Sequence, residues 1–314
     1  MSEQATGTAE KITGAAWPRA GARAPRFRVA DYATLLKPRV MSLVVFTGVV
    51  GLALAPGRHD PMTMIAAVIC IALGAGAAGA INMWYDRDID KIMRRTMNRP
   101  LPAGRLAAGE ALAFGAALAV ASVATMAWLV NVVAAALLAT TILYYVFVYT
   151  VWLKRRTPQN IVIGGVSGAL PPVIGWAAVT GDVGLGALVL FAIIFLWTPP
   201  HSWALALFRR GDYEAAGVPM MPVIAGERGT KRLMLVYTAL LLPTTLLPVW
   251  IGMSGALYGV AAVVLGIGFA GHAWRVWKDE DASRARPMFF FSIFYLFLIY
   301  VALLADRLLF YPVF

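Results

Sequence analysis

The sequence predicts an all-α polytopic membrane protein, and two of its features lead to that prediction: an apolar composition and the length of its apolar runs. Of the 314 residues, 60% are hydrophobic and 14% are charged, and the mean hydropathy is +0.73. In water-soluble domains about a quarter of all residues are charged. Apolar stretches of about twenty residues recur along the chain, and at about 1.5 Å per residue each one crosses a hydrocarbon layer roughly 30 Å thick.

Nine transmembrane helices are predicted, separated by short segments rich in glycine, proline or charge, such as APGRHDP at 55–61 and TGDVG at 180–184. We expect these nine spans near Val40–Pro56, Met62–Tyr85, Ala111–Leu129, Val132–Leu153, Ile161–Val179, Leu185–Phe208, Leu233–Gly252, Ala256–Trp274 and Pro287–Leu308.

The distribution of basic residues predicts the orientation. The segments before span 1 and between spans 2–3, 4–5, 6–7 and 8–9 hold 25 of the 27 Lys and Arg residues, which leaves only Arg58 and Arg307 on the other side. The positive-inside rule therefore predicts a cytoplasmic N-terminus and a C-terminus on the opposite side. We expect a bacterial inner (cytoplasmic) membrane protein, with its C-terminus in the periplasm. The net charge of +11 lies in short loops and not along one soluble face, so we expect no nucleic-acid partner.

Residues 1–36 are predicted to form a disordered cytoplasmic tail, and residues 37–310 the nine-helix domain. The first 36 residues are rich in Ala, Gly and Arg and contain no apolar stretch typical of a secretory signal. A mitochondrial transit peptide, and hence a mitochondrial inner membrane, is the less favoured alternative because Glu3, Glu10 and Asp31 interrupt the basic pattern. The single cysteine, Cys70, lies in an apolar run, which excludes a disulfide framework.

The segment NMWYDRDIDKIMRRTMNRPLP, residues 82–102, gathers three aspartates directly after span 2. Asn82, Asp86 and Asp90 are four residues apart, and each such helical step turns by only about 40°, so we expect them on one face and Asp88 on the other. Two carboxylates and an amide oxygen are suitable ligands for a Mg²⁺ ion that bridges to substrate phosphates. Their mutual repulsion predicts a cation or a basic partner between them. Simple solvation of a charged helix end is the alternative.

Arginines follow these carboxylates at Arg94, Arg95 and Arg99, and RPLPAG at 99–104 predicts a stiff turn. Carboxylates alone are compatible with a cation path. Carboxylates beside arginines favour a site for a metal and a diphosphate, because guanidinium groups pair with phosphate oxygens in a forked geometry.

A second charged cluster lies at the cytoplasmic end of span 6, in WTPPHSWALALFRRGDYEAAGVPMMPV at 197–223. It contains Asp212, Glu214, Arg209, Arg210 and Tyr213. Pro199 and Pro200 are expected to kink or break span 6 next to His201. A histidine at membrane depth usually lines a cavity, where it binds a metal, a porphyrin iron or a polar group. A packed histidine that donates to a backbone carbonyl is the alternative.

A third segment, KRRTPQNIVIGGVSGALPPVIGW at 154–176, begins with Lys154, Arg155 and Arg156 and continues into a glycine-rich span 5. Glycines favour close helix packing or space for a bulky ligand. The basic triplet is explained equally well by diphosphate binding and by the positive-inside rule.

These three segments together resemble the UbiA-type family of intramembrane prenyltransferases, and the second and third resemble its heme-modifying branch. The resemblance extends over roughly Leu36 to Leu308. It implies nine transmembrane helices around a central cavity that is capped by loops on the cytoplasmic side.

The resemblance also implies a reaction. The family joins a prenyl diphosphate to an acceptor with the help of Mg²⁺. The heme-modifying branch transfers the farnesyl group of farnesyl diphosphate to a vinyl group of protoheme IX, with addition of water, to give heme O and diphosphate for heme–copper oxidases. The lipid bilayer surrounds the protein, and contact with a heme A synthase is left open. The residues implied as catalytic and metal-binding are Asn82, Asp86, Asp90 and Asp212; those implied to bind the substrates are His201, Arg94, Arg99, Lys154, Arg209 and Tyr213.

The sequence departs from quinone-type members of the family at the second acidic site. Those members carry an aspartate four residues after the first, whereas here Asp212 is followed by Ala216, so a second Mg²⁺ site is left open. A quinone- or chlorophyll-type prenyltransferase is one alternative, against which TPPH and the missing aspartate count. An ion-coupled transporter is another, although transporters place their charges near the bilayer midplane and not at its cytoplasmic edge.

Overall fold

A computed structural model describes residues 28–58 and 60–310, and every regular element within these residues is helical. Eight helices are long and apolar enough to cross a membrane, and a ninth span is completed if the bent pair Val29–Leu35 and Pro38–Leu54 is counted as one. The prediction of an all-α polytopic fold is confirmed. Span 1 is Pro38–Leu54; the further spans, numbered 2 to 9, are Pro61–Tyr85, Ala108–Leu129, Val132–Leu153, Asn160–Thr180, Leu185–Phe208, Gly226–Trp250, Ala256–Lys278 and Ala285–Phe310.

The chain bends by 54° just before span 1. A proline disfavours the α conformation for the residue before it, so the helix Val29–Leu35 ends ahead of Pro38, which in turn is well placed as the first residue of span 1. Lys37 between them adopts a left-handed conformation with φ 50° and ψ 52°. Part of the predicted tail is thus helical, which corrects the disordered prediction for residues 29–35; residues 1–27 lie outside the described part of the chain.

Spans 4, 5 and 7 depart from a single uninterrupted α-helix. Span 4 is α-helical over Val132–Leu143 and π-helical over Tyr144–Leu153. Span 5 consists of two helices, Asn160–Ala169 and Pro171–Thr180. Span 7 consists of the helices Gly226–Thr244 and Leu247–Trp250. The predicted break of span 6 at its two prolines does not occur, and the helix runs without interruption to Phe208. Both proline rings are buried between neighbouring spans, whose packing holds the helix together.

Spans 1 and 5 approach each other so closely that only glycine fits between their backbones. A Cβ atom on Gly51 would lie 2.1 Å from the carbonyl oxygen of Pro172, and one on Gly175 would lie 2.1 Å from the carbonyl oxygen of Gly48. Small residues of this kind bring membrane helices into backbone contact. Two adjacent spans are thereby fixed against each other along the inner part of the bundle.

The connections after spans 2 and 6 form a cap at one end of the bundle, the end that the sequence predicts to be cytoplasmic. We name residues 86–107 loop 2–3 and residues 209–225 loop 6–7. Loop 2–3 contains the short helix Arg87–Asp90, and loop 6–7 contains Arg210–Ala215 and Met221–Ile224. The two loops share an apolar core made of Ile89, Met93, Ala206, Tyr213, Val218 and Met220. The two charged segments that were predicted separately therefore meet at one end of the protein.

Candidate active site

Asn82, Asp86 and Asp90 lie at the end of span 2 and in the helical turn that follows it, and all three side chains are buried. The backbone N–H of Asp86 bonds to the carbonyl of Asn82, and that of Asp90 to the carbonyl of Asp86, so the helical spacing continues across the span boundary. The Asn82 Nδ2 donates to Asp86 Oδ2 at 2.7 Å. Asp88, in contrast, has a side chain 60% exposed, so the carboxylates divide between two sides as the spacing predicts.

Each of these buried polar groups has a basic partner. Lys154 forms an ion pair with Asp86, and Arg99 forms one with Asp90 Oδ2 at 2.7 Å. Lys37 Nζ donates to Asn82 Oδ1 at 2.7 Å. Carboxylates at this depth need such compensation because burial without a partner costs several kcal/mol. The basic partner that the repulsion between Asp86 and Asp90 predicts is thus present for each carboxylate.

Two residues of this cluster were missed by the sequence analysis. Lys37 was counted only as one of the basic residues before span 1, although its position before the first proline of a span is a signal that the chain turns there. Thr150 accepts a hydrogen bond from Asn82 Nδ2 at 3.1 Å. It lies in the π-helical part of span 4, and nothing in the apolar run around it distinguishes it.

Arg155 joins the end of span 4 to loop 2–3. Its guanidinium donates to both carboxylate oxygens of Asp88 at 2.6 Å, and NH2 lies 3.5 Å from Asp86 Oδ1. These hydrogen bonds lower the pKa of Asp88 from 3.8 to about 2, and the same hydrogen bonds raise the pKa of Arg155. In the sequence, Arg155 is distinguished only as a member of the basic triplet 154–156.

The second acidic segment lies beside this cluster but is not merged with it. Arg95 donates to the hydroxyl of the buried Tyr213 at 3.1 Å and joins loop 2–3 to loop 6–7. The neighbouring Asp212 has a buried Oδ2 without a hydrogen-bond partner among the described residues. Arg94 and Arg209 are exposed, and Arg209 lies over the ring of Phe208. The structure therefore brings together Asn82, Asp86, Asp90, Arg99 and Lys154 of the predicted site, and leaves Arg94 and Arg209 at the surface.

The oxygen atoms at the end of span 2 are of the kind that binds Mg²⁺. Asp86 Oδ1 is buried and accepts no hydrogen bond from the described residues, and Asp90 and the Asn82 amide contribute further oxygens nearby in the chain. Within residues 28–58 and 60–310, no three His, Cys, Asp or Glu residues form a group that could hold a metal. Asp212 is therefore not part of a three-carboxylate set with Asp86 and Asp90.

An apolar pocket lies in the membrane one helical turn from Asn82. Spans 1, 2, 4 and 5 enclose it. Its walls include Gly74, Ala75, Ala78, Leu138, Tyr145 and Ile174. Small residues on span 2 leave the space, and the polar cluster lies further along the same span, towards its end at Tyr85. This arrangement suits a ligand with one highly charged end and one hydrocarbon end.

His201 lies between spans 6 and 9, apart from the acidic cluster. Its ring is stacked between Trp197 and Phe289, with centroid distances of 4.2 and 4.7 Å. Its Nδ1 is 2.7 Å from Ser292 Oγ. The partner of Nδ1 is thus a side-chain hydroxyl of span 9, and not a backbone carbonyl near the prolines as the alternative interpretation predicts.

The chain matches the UbiA prenyltransferase family over residues 44–304. It is 56% identical over 299 residues to the protoheme IX farnesyltransferase of Parvibaculum lavamentivorans, with 94% of this chain and 93% of that protein covered. It is 55% identical over 284 residues to the protein of the same name from Brucella ovis, with 89% and 91% covered.

Solved structures share the fold. Digeranylgeranylglyceryl phosphate synthase superposes with a TM-score of 0.74 at 19% identity, with 88% of this chain and 97% of that chain covered. A UbiA homologue from Archaeoglobus fulgidus bound to DMAPP and Mg²⁺ superposes with a TM-score of 0.61 at 17% identity, with 88% and 99% covered.

Proposed function

The chain belongs to the UbiA prenyltransferase family, and from this we propose that it transfers the farnesyl group of farnesyl diphosphate to a vinyl group of protoheme IX, with addition of water, to give heme O and diphosphate. The identity of 55–56% to proteins named protoheme IX farnesyltransferase supports this choice of substrates. The observation that best supports prenyl transfer as the reaction is the buried Asn82–Asp86–Asp90 cluster with its basic partners, close to an apolar pocket between the spans.

The basic side chains would bind the diphosphate. Lys37, Lys154 and Arg99 already contact the acidic cluster, and each presents N–H donors in a partly buried setting where charge is screened less than in water. As the allylic C–O bond breaks, the electron pair leaves with the diphosphate, and these cations stabilise the negative charge that grows on its oxygens. The remaining allylic cation keeps its hydrocarbon chain in the apolar pocket.

The acidic groups fit a magnesium ion. Asn82, Asp86 and Asp90 would hold Mg²⁺ through their oxygens, including Asp86 Oδ1, which accepts no hydrogen bond within the described chain. When bound, the ion would neutralise part of the diphosphate charge and so favour its departure. Asp212, whose Oδ2 also lacks a hydrogen-bond partner within the described chain, would bind a second ion from loop 6–7 and not the ion held by Asp86 and Asp90.

The acceptor reacts through a vinyl group. Its π electrons form the new bond to C1 of the farnesyl cation, and water adds to the other vinyl carbon and loses a proton, which leaves a hydroxyethylfarnesyl substituent. Exclusion of bulk water protects the cation until the vinyl group attacks. His201 is the side chain we assign to the porphyrin, because it lies at membrane depth in a stack of aromatic rings.

The setting is a bacterial inner membrane, with the acidic cluster at the cytoplasmic side, as the distribution of Lys and Arg predicts. A heme A synthase, which would use the product, stays a predicted partner.

The reaction is tested by incubating membranes that contain the protein with hemin and isotopically labelled farnesyl diphosphate, followed by mass analysis of the extracted heme. We expect labelled heme that has gained one farnesyl group and one hydroxyl group, loss of this product with a chelator, and its return with added Mg²⁺. Unmodified heme alone, or label in a prenylated quinone, would refute the assignment. Full activity after strict removal of divalent ions would refute the metal.

A further inference from the structure

The imidazole of His201 is held on three sides. Trp197 covers one face at an interplanar angle of 16°, and Phe289 covers the other at 23°. Ser292 of span 9 contacts its edge at Nδ1. A ring held in this way cannot rotate without displacing an aromatic neighbour, so its orientation is built into the contact between spans 6 and 9.

The hydrogen bonds of Ser292 determine which nitrogen of His201 carries the proton. Ser292 Oγ lies 2.6 Å from the carbonyl oxygen of Phe289, which can only accept. The hydroxyl has one proton and gives it to that carbonyl. The second contact, 2.7 Å to Nδ1 of His201, is therefore a bond in which the histidine donates. The neutral ring then has its proton on Nδ1 and a lone pair on Nε2.

Two further observations fit a ligand at Nε2. That nitrogen has no hydrogen-bond partner within the described residues, and the side chain is half-buried and not sealed in the core. Trp197 Nε1 donates to the backbone carbonyl of Ser292 at 2.8 Å. Ser292 therefore contacts both His201, through its hydroxyl, and the indole that covers His201, through its carbonyl.

We propose, on the basis of the function proposed above, that Ser292 is a positioning residue which keeps His201 in the Nδ1–H form so that Nε2 ligates the iron of protoheme IX. A metal-binding histidine usually donates its other N–H to an acceptor that sets its tautomer and orientation, and loss of that acceptor typically weakens metal binding by about 10- to 100-fold. Trp197 and Phe289 would keep the ring edge-on to the bound porphyrin.

Titration of purified full-length protein with hemin, followed by absorption and electron paramagnetic resonance spectroscopy, tests this role. We expect the wild type to show an imidazole-ligated ferric heme, His201→Ala to lose that signature and regain it with added imidazole, and Ser292→Ala to bind hemin about tenfold more weakly with an altered spectrum. Ser292→Thr, which retains the hydroxyl, should restore affinity and spectrum. Ser122→Ala is the matched control, because Ser122 is also buried and bonds a carbonyl of its own span, Ala119, at 3.0 Å.

The outcomes separate the two proposals. If Ser292→Ala binds hemin with wild-type affinity and spectrum, or if Ser122→Ala is equally impaired, the role of Ser292 is refuted, whether or not the wild type makes heme O. If the wild type ligates hemin through His201 in a Ser292-dependent way but forms no farnesylated heme, the inference stands and the proposed reaction fails. Thermal unfolding of each variant in detergent identifies any general loss of folding, and rescue by Ser292→Thr distinguishes the hydroxyl from simple packing.

Discussion

Replacing Lys37 with methionine is the sharpest test of the proposed diphosphate site. Methionine has nearly the same length and apolar stem but no charge, so the substitution removes the ammonium group that lies 2.7 Å from Asn82 Oδ1 and changes little else. We expect kcat/KM for farnesyl diphosphate to fall by about 10²-fold, with hemin binding unchanged.

The magnitude comes from the position of the charge. Burial lowers the pKa of Lys37 to about 7, so the comparison is made below that pH, where the ammonium group is charged. A unit charge about 5 Å from a phosphate oxygen contributes roughly 3 kcal/mol at an effective dielectric constant of about 20, which corresponds to about two decades in rate. Loss of one preorganised donor from an enzyme site typically costs 10²- to 10³-fold, about the same amount. The Asn82 oxygen also loses its donor, which would destabilise the fold by about 1–3 kcal/mol.

The assay is product formation by mass spectrometry over a range of farnesyl diphosphate concentrations, with thermal unfolding of each variant measured in the same detergent. Lys91→Met is the matched control, because Lys91 lies exposed on loop 2–3 and forms no ion pair with the described residues. The reasoning is wrong if Lys37→Met stays within threefold of the wild type, or if Lys91→Met is as impaired as Lys37→Met.

Three further predictions use other parts of the site. Asp86→Asn should lower turnover at least 10²-fold and leave the hemin affinity unchanged in an absorbance titration; equal loss of both would indicate misfolding and not loss of a metal ligand. Ala78→Phe should block the apolar pocket, so that turnover of farnesyl diphosphate falls at least tenfold more than turnover of dimethylallyl diphosphate, whereas Ala116→Phe on the exposed side of span 3 should preserve the ratio. Asp88 has a pKa depressed to about 2 by Arg155, so its carboxylate contributes stability above pH 3.8 that is lost as the pH falls through about 2. Asp88→Asn should therefore be less stable than the wild type at neutral pH, by less than about 1 kcal/mol because the pair is partly exposed, and the difference should shrink as the pH falls from 3.8 towards 2, as measured by chemical unfolding; a pH-independent difference would contradict this.

The helices were predictable because their signals are long and physical. A run of about twenty apolar residues has few alternatives to a membrane helix, and the four-residue spacing of Asn82, Asp86 and Asp90 is a helical period that the structure continues beyond Tyr85. The relation between Asp86 and Asp88 followed from the same period. The two prolines of span 6 do not break the helix, and whether prolines break a membrane helix depends on neighbouring spans, which the sequence of one helix does not contain.

The partners within the site were not predictable, since they depend on distant contacts and on irregular backbone. Lys154 contacts Asp86 although the two are 68 residues apart in the sequence. Lys37 contacts Asn82 from a bend at which Lys37 itself adopts a left-handed conformation. Arg94 and Arg95 are adjacent in an irregular loop without periodic pattern, so the sequence could not indicate that Arg95, and not Arg94, contacts Tyr213.

The glycine contacts between spans 1 and 5 limit how this protein can admit a substrate as wide as a porphyrin. Where the backbones touch at Gly51 and Gly175, there are no side chains whose rotation could open a gap. A passage between spans 1 and 5 would therefore require the two helices to move apart. A lateral entrance for the porphyrin is therefore expected between other spans of the bundle. Cross-linking spans 1 and 5 should leave heme uptake unchanged.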